Sequence, residues 1–445
     1  MVDFGTPTPN RRITKRGRLS DRRRRLDHAL ALRGAARPAP TRSGGEGRPL
    51  EGRRFLIVTI PFGPFGVVFA RTLEAQGATV RRMIFNAGDA AYWRRAGAEP
   101  FKASANAWPA RLAELAAEVT DIVVFGEGGP YNQAVLSAGA ALGPRIWVLE
   151  NGYFRPDWIT VEEGGVNASS RLPRTRAGYA APAPEHATPK PIGTILPHHV
   201  VNISLYHTVQ ILGGPLYPAF EAPYTQSPLM QCIGHIRRYF GLSLRAAGPP
   251  DAATLAARGP FFLVCLQREG DAQLLRYSSF ADNTAFLAAV MGSFAANAPS
   301  DARLVVKNHP LDPGLIDLAR ITRLLAIEHG LVGRVDFIDG GVLSQLCRAS
   351  RGMVVNNSSA ALSALGFHTP VKVLGRAFFD FEGLTDQKPL DAFWNTPTAA
   401  DPELFGRFRD HVIARTQING NYHQPDALEM TARGLAEAFA RPSDD

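Results

Sequence analysis

Cysteine is scarce in this chain of 445 residues, with only Cys232, Cys265 and Cys347. They are odd in number and far apart. That excludes a disulfide framework and a paired-cysteine zinc site, and it suits a reducing cytoplasm. No run reaches the roughly 20 consecutive apolar residues that span a bilayer, which excludes an integral helical membrane protein. Residues 1–50 hold no apolar core of the kind a secretory signal needs, so no export signal is expected there. Several catalytic devices are missing too. There is no GxxxxGK(S/T), no GxGxxG after a strand-like run, no HExxH, no paired CxxC and no Asp-x-Asp. These absences remove the P-loop, the dinucleotide fingerprint and the commonest metal-binding signatures, and no metal site is expected.

The folded body also lacks a net charge. Residues 1–50 carry 13 basic and 4 acidic residues, which accounts for the whole net charge of +9; residues 51–445 carry 36 of each sign. The basic part holds Arg22-Arg23-Arg24-Arg25 and an Ala/Pro/Gly/Arg stretch over 35–49. Such a segment buries too little apolar surface to fold alone, so a disordered basic tail is expected over 1–52. Anionic headgroups would attract it by about 1 kcal/mol per basic residue near the surface; a solvated leader with no role is the plainer alternative. No aromatic residues alternate with the arginines, which argues against a nucleic-acid partner.

From Arg54 onward the pattern is that of a globular α/β protein. Apolar, β-branched runs at 55–60, 79–85, 121–125 and 145–149 read as strands, with helices at 67–76, 108–119 and 131–142. A second series places strands at 261–266, 303–306, 335–338, 352–355 and 371–374, separated by helices at 283–296, 315–329, 343–347 and 359–367. Strands alternating with helices of this length imply parallel βαβ units. The reading is therefore two Rossmann-like domains facing a cleft, at 53–190 and 255–395. A partly helical linker joins them at 191–254, and a helical segment closes the chain at 396–445. Ligands bind open sheets of this kind beyond the strand C-termini. The architecture fits GT-B glycosyltransferases and nucleotide-sugar epimerases alike.

Three places carry candidate chemistry. In Val305-Val-Lys-Asn-His-Pro310 a strand ends on Lys307 and His309, which suits a phosphate-bearing ligand. In Val355-Asn-Asn-Ser-Ser359 the hydroxyls of Ser358 and Ser359 open a helix, an ordinary cap that also offers donors to an anion. In the first domain Glu150, beside Gly152, ends one strand, and Glu127, between Gly126 and Gly128, follows its neighbour. Either carboxylate fits a base or nucleophile, and either fits a solvated loop acid. Asn86 and Asp89 complete that rim. His198, His199 and His207 cluster without a matching ligand set and read as polar residues between the domains.

Taken together, the segments resemble the capsule polysaccharide synthesis and export proteins, in particular their single-module β-Kdo transferase branch. The resemblance runs in order over about residues 54–395. It rests on Gly63-Pro-Phe65, Phe85-Asn-Ala-Gly-Asp89, Glu150-Asn-Gly-Tyr-Phe-Arg-Pro-Asp-Trp-Ile-Thr160 and Gly164-Gly-Val-Asn167. It continues through Leu266-Gln267 with Asp271-Ala-Gln-Leu274, Lys307-Asn-His-Pro310, Asn357-Ser-Ser359 and Gly375 through Phe393-Trp394. Bacterial sialyltransferases, which also use CMP-activated keto sugars, carry similar acidic-acidic-Gly, His-Pro and Ser-Ser motifs. The resemblance implies a GT-B-like, metal-independent and retaining enzyme that uses CMP-Kdo as donor and no separate cofactor. It places the CMP phosphate on Lys307, His309, Ser358 and Ser359, with Asn357 and Gln267 beside them. Arg155, Asn167 and Asp271 join the cleft and acceptor side. The acidic-acidic-Gly motif maps onto Glu150-Asn151-Gly152, where its second acid is an amide in this chain.

The sequence thus leads to a cytoplasmic, membrane-peripheral glycosyltransferase of capsule assembly. Kdo would pass from CMP-Kdo to a lysophospholipid-type anchor or to Kdo already on it. Its other partners would be an anionic membrane surface and the capsule synthesis or export machinery. The alternatives are another GT-B-type nucleotide-sugar enzyme and a non-catalytic accessory protein that hands capsule to an exporter; Asn151 favours the second.

Overall fold

The computed structural model describes residues 48–442 except 224, 225, 245–247 and 271. The basic stretch before Arg48 and the predicted cleft residue Asp271 lie outside the described residues. The tail boundary expected at 52 falls late. Leu50 is fully buried beside Phe55, Phe69 and Phe439, and its amide donates to the Gln76 carbonyl.

The strands are β1 (Arg54–Ile57), β2 (Thr79–Ile84), β3 (Ala98–Pro100), β4 (Asp121–Phe125), β5 (Arg145–Asn151), β6 (Trp158–Glu163), β7 (Phe261–Cys265), β8 (Arg303–Lys307), β9 (Val335–Ile338), β10 (Gly352–Val355), β11 (Val371–Val373) and β12 (Gln417–Asn419). Helices α1 (Phe65–Ala75), α2 (Ala87–Tyr92), α3 (Trp108–Ala116) and α4 (Gly129–Ala138) connect the first series. Helices α5 (Leu196–Leu212) and α6 (Pro228–Ser243) lie between the series. Then come α7 (Ala252–Ala257), α8 (Ala272–Tyr277), α9 (Asn283–Asn297), α10 (Leu318–Glu328), α11 (Leu343–Ala349), α12 (Ala360–Gly366), α13 (Leu390–Phe393), α14 (Pro402–Thr416) and α15 (Leu428–Ala440).

Two sheets result, in the orders β12-β6-β5-β4-β1-β2-β3 and β11-β10-β7-β8-β9. The second sheet is wholly parallel, as are β5-β4-β1-β2-β3 of the first. Each parallel set starts at its centre, runs out to one edge and then fills the other. That winding leaves a topological switch point between β1 and β4, and another between β7 and β10. Helices cover both faces of each sheet, so the central strands read as unbroken apolar runs; β7 is buried at every position.

The antiparallel strands β6 and β12 were not anticipated. Trp158-Ile-Thr-Val-Glu-Glu163 returns along β5 instead of forming an irregular loop, with Glu150 opposite Thr160. Gly152 permits this turn by close approach: a side-chain carbon there would lie 2.1 Å from the Trp158 carbonyl oxygen. The C-terminal segment is a bridge rather than an appendage. Phe405, Phe408 and Val412 of α14 pack with Tyr179, Phe378 and Phe381. β12 then joins the first sheet, and Phe439 of α15 stacks on Phe55 at 5.6 Å. No helix of the described residues is long and apolar enough to cross a membrane.

Candidate functional site

The C-terminal edges of the two sheets are held near each other by direct contacts. The Tyr153 ring lies 4.5 Å from that of Phe378, and the hydroxyls of Ser169 and Tyr277 bond each other. On the first sheet Glu127 follows β4 and is buried, accepting the Val166 amide at 3.1 Å. It also faces the second domain: burial, then the charge of Glu127, pushes the Tyr277 hydroxyl up to about 12. Glu150 ends β5. Its Oε1 accepts the Asn151 amide at 2.9 Å and the Asn151 side-chain nitrogen at 3.3 Å, while its Oε2 lies over Gly126. The amide in the acidic-acidic-Gly position therefore orients Glu150.

A third carboxylate, Glu162, was missed in the sequence because it sits on the unrecognised strand β6. It is buried and accepts the Tyr153 hydroxyl at 2.6 Å and the Ser170 hydroxyl. Burial pushes its carboxyl up to about 7; the bonds from Ser170 and Tyr153 pull it down, and the charge of Glu127 adds to the rise. The Tyr153 oxygen in turn accepts the Asn167 amide at 2.6 Å. Asn167 holds a left-handed backbone with φ 52°, which its residue type tolerates. The alternation of Trp158–Glu163, apolar residues between polar ones, was the available signal for this strand.

The second rim is cationic. Lys307 ends β8 with only 8% of its surface exposed, and no carboxylate among the described residues forms an ion pair with it. His309 follows. Its Nδ1 accepts the Leu311 amide at 3.1 Å, which leaves the proton of the neutral ring on Nε2 as a donor. Burial, followed by the charges of Arg155, Arg268, Lys307 and Arg238, pushes His309 down to about 4. Arg155 belongs to the first domain, so this effect brings the two rims together. Arg238 of α6 clamps the following loop, donating to Asp339 at 3.0 Å and to the carbonyls of His309, Pro310 and Asp312. Arg155 itself is exposed and donates to the Gly152 carbonyl at 3.1 Å.

Ser358 and Ser359 are partly buried before α12. Ser358 Oγ accepts the Ala360 amide at 3.3 Å, and Ser359 makes no capping bond. Gln267 and Asn357 join across the switch point between β7 and β10 by a 2.6 Å bond, with Asn356 on Gln267 Oε1 at 3.2 Å. Asn357 also donates to the Tyr277 carbonyl at 3.3 Å. This pair holds strand ends in place beneath the rim.

Asn86 and Asp89 are engaged beneath α5. Asn86 caps α2 and donates to Tyr206 at 2.9 Å, while Asp89 accepts from Arg82 at 3.3 Å and from Tyr206 at 3.1 Å. The neighbouring cavity, lined by Phe62, Gly63, Arg82, Asp89 and Tyr206, measures about 20 Å³, room for about one water. His199 packs on Phe62 at 5.4 Å and on His423 at 4.5 Å, and His207 bonds Gln210 at 2.8 Å.

Residues 120–423 match the model of a protein family described as capsule polysaccharide biosynthesis protein. The chain is 34% identical over 386 residues to the capsule polysaccharide modification protein LipB of Neisseria meningitidis serogroup B, covering 83% of this chain and 91% of that one. It is 31% identical over 384 residues to the capsule polysaccharide export protein KpsS of Escherichia coli, covering 84% and 98%. Among solved structures it is similar to the β-Kdo 2,7-transferase part of Thermosulfurimonas dismutans KpsC, at 15% identity with TM-score 0.40, over 80% of this chain and 89% of that one.

Proposed function

This chain belongs to the capsule polysaccharide biosynthesis protein family, and from that premise we propose that it is a glycosyltransferase of capsule assembly. In this reading it transfers Kdo from CMP-Kdo to a lipid acceptor, a lysophospholipid-type anchor or the Kdo already on it, at the inner face of the cytoplasmic membrane. The observation that carries the donor assignment is Lys307. A nearly buried ammonium with no carboxylate ion-pair partner among the described residues is costly unless an anion completes it. Beside it His309 presents a neutral N–H donor, and two serine hydroxyls open α12 in the same sheet. Together they suit a nucleotide phosphate at a strand edge.

CMP leaves more easily as its phosphate is neutralised, which is the part assigned to Lys307, supported by Arg155 and Arg268. Each preorganised contact of this kind is worth about 3 kcal/mol in the transition state. Glu150 is the carboxylate assigned to the chemistry, as base or nucleophile, oriented by Asn151. Glu127 faces Tyr277 and ties the domains, and Glu162 positions Tyr153. No metal enters this scheme, so turnover should persist in EDTA; retention of anomeric configuration follows the family resemblance.

The test is release of CMP from CMP-Kdo by the purified chain with a lysophosphatidylglycerol acceptor. Acceptor-dependent release is expected. Activity with a UDP-sugar and none with CMP-Kdo would select another nucleotide-sugar enzyme. A second reading, an accessory protein that passes capsule to an exporter, draws on Asn151 and on the name of the Escherichia coli relative. Tight CMP binding without turnover of any donor would favour it.

A further inference from the structure

We propose that α5 and α6 together form a lipid-docking face that rests on an anionic phospholipid bilayer. The two helices are built inside out. Of the 20 large apolar side chains exposed among the described residues, 14 fall within 196–244, a segment of 49 residues. Val201 and Leu212 on α5 are 65% and 76% exposed, and Ile236 and Phe240 on α6 are 65% and 64% exposed. Several polar side chains of the same helices make contacts with the protein body instead. On α5, Tyr206 bonds Asn86 and Asp89, and Gln210 is buried against His207. On α6, Gln231 meets Arg268 and Arg238 meets Asp339. A surface helix normally turns its apolar stripe to the core. Reversal in two touching helices makes a continuous apolar patch, which in a water-facing protein marks an interaction surface.

Charge selects the occupant. Residues 191–250 contain one carboxylate, Glu221, against Arg237, Arg238 and Arg245, of which Arg238 is taken up by Asp339. The exposed positions of α5 hold no Asp, Glu, Lys or Arg, their polar members being His198, Ser204 and Thr208. Arg237 is exposed at the rim of α6, beside Tyr239 and Phe240, the aromatic type that settles at a bilayer interface. The remaining excess of positive charge lies in residues 1–50. Apolar area with basic edges and no spanning helix is the pattern of an element lying in the membrane plane. Position agrees: α5 packs on α2 of the first domain, and α6 packs against residues 313–315 of the second. The face therefore straddles the seam at which both rims meet. This inference deepens the membrane-peripheral part of the reading above and rests on it, but not on the donor assignment.

The experiment is flotation of the full-length chain with vesicles of equal parts phosphatidylglycerol and phosphatidylcholine. It is run at low salt and at roughly 1 M salt, where the Debye length is about 3 Å and the basic tail is screened. Wild type should stay bound in high salt. A Val201→Asp/Leu205→Asp variant and an Ile236→Asp/Phe240→Asp variant should each lose at least about tenfold of that salt-resistant binding, as removal of buried apolar area predicts. A Leu324→Asp/Ile327→Asp control on α10, equally exposed, should bind as wild type. Phe240→Trp supplies a readout that needs no charged substitution. Its emission should shift to the blue on vesicles and be quenched by brominated lipid beyond the wild-type tryptophans. Binding abolished by salt would assign membrane affinity to the tail alone and overturn the proposal. Wild-type flotation of both aspartate variants would also overturn it. So would a wild-type dimer that the variants dissociate without change in flotation, since a second copy would then cover the face. None of these readouts uses CMP-Kdo, so failure of the donor reading leaves them intact.

Discussion

At the C-terminal edge of the first sheet stand two carboxylates, Glu127 after β4 and Glu150 at the end of β5, with Arg155 beyond them and Glu162 of β6 deeper, opposite Val148. At the same edge of the second sheet stand Lys307 and the neutral ring of His309, while Asp339 after β9 is taken up by Arg238. The strand orders match, so topology alone does not separate the two rims. Their hydrogen bonding does. The carboxylates are held by protein groups: Glu150 by Asn151, Glu162 by Tyr153 and Ser170, Glu127 by the Val166 amide and by Tyr277 of the second domain. Lys307 has no ion-pair partner among the described residues, and the proton on His309 Nε2 points away from the Leu311 amide that fixes the ring. A satisfied rim can hold groups in place and time a proton. An unsatisfied cationic rim has a standing need for an anion.

Removing the ammonium should have the largest effect. Lys307→Ala is expected to weaken CMP binding at least about 100-fold, the loss of a charge-assisted contact of about 3 kcal/mol in a partly desolvated site. Titration calorimetry reads it, and an unchanged melting temperature would show that folding is not the cause. Unchanged affinity would place the phosphate elsewhere and erase the contrast between the rims. On the acidic side, Glu150→Gln should lower turnover at least about 10²-fold while CMP affinity changes little, because the charge acts in the chemical step. If Glu127→Gln instead loses turnover with the interdomain contacts intact, the wrong strand has been assigned.

The two rims should also respond to pH with opposite sign. Glu162 holds its proton up to about 7 in the fold against 4.5 in the unfolded chain. Between those values the native state binds more protons, so stability falls as pH rises and the full cost is present above about 7. Glu162→Gln should remove that slope and raise the melting temperature at about pH 8, within a ceiling of about 3 kcal/mol. His309 runs the other way. Its folded value of about 4 lies below 6.5, so the unfolded state binds more protons between them and stability falls as pH drops. Substitution by Gln should flatten the acid side of the melting curve. Melting profiles of both variants from about pH 4 to pH 8 separate the two slopes.

Much of the second domain was legible because every one of its strands is parallel, short and apolar, bounded by Gly, Pro or polar turns; Val335–Ile338 and Gly352–Val355 match their expected bounds. Lys307 and His309 were legible for the same reason, since a strand that ends delivers the next residues to the rim. The failures come from long-range partners. β6 is a strand because β5 and β12 flank it, and β12 lies more than 250 residues away in the chain. Glu162 was lost with it. The mutual bond of Gln267 and Asn357, two residues expected beside the phosphate, was not legible, because that pairing appears only when β7 and β10 become neighbours. Asn86 and Asp89 were placed at a strand end, but α5 brings Tyr206 over them and turns that corner into a buried network.

The smallest expected effect belongs to the serines, and it measures how far charge rather than hydroxyl donors makes the cationic rim. The helix they open, α12, is seven residues long, so its dipole is short; the amides of Ala360, Ala361 and Leu362 already donate to Ser358 and Ser359, and its contribution is mainly the two hydroxyls. Ser358 Oγ already accepts from Ala360, which leaves its proton for a ligand, and Ser359 makes no capping bond. A Ser358→Ala/Ser359→Ala variant therefore loses up to two hydroxyl donors to an anion. At roughly 1 kcal/mol net for each bond, CMP affinity should fall by up to about thirtyfold, several-fold less than for Lys307→Ala. Loss of the Ser358 bond to Ala360 also weakens the start of α12, so thermal melting must accompany the calorimetry; a drop of more than about 2 kcal/mol in stability would mark the serines as caps. A loss matching that of Lys307→Ala would mean that hydroxyl geometry holds the phosphate as firmly as the ammonium does. Wild-type affinity in the double variant, with Lys307→Ala impaired, would move the phosphate toward β8 and Arg155.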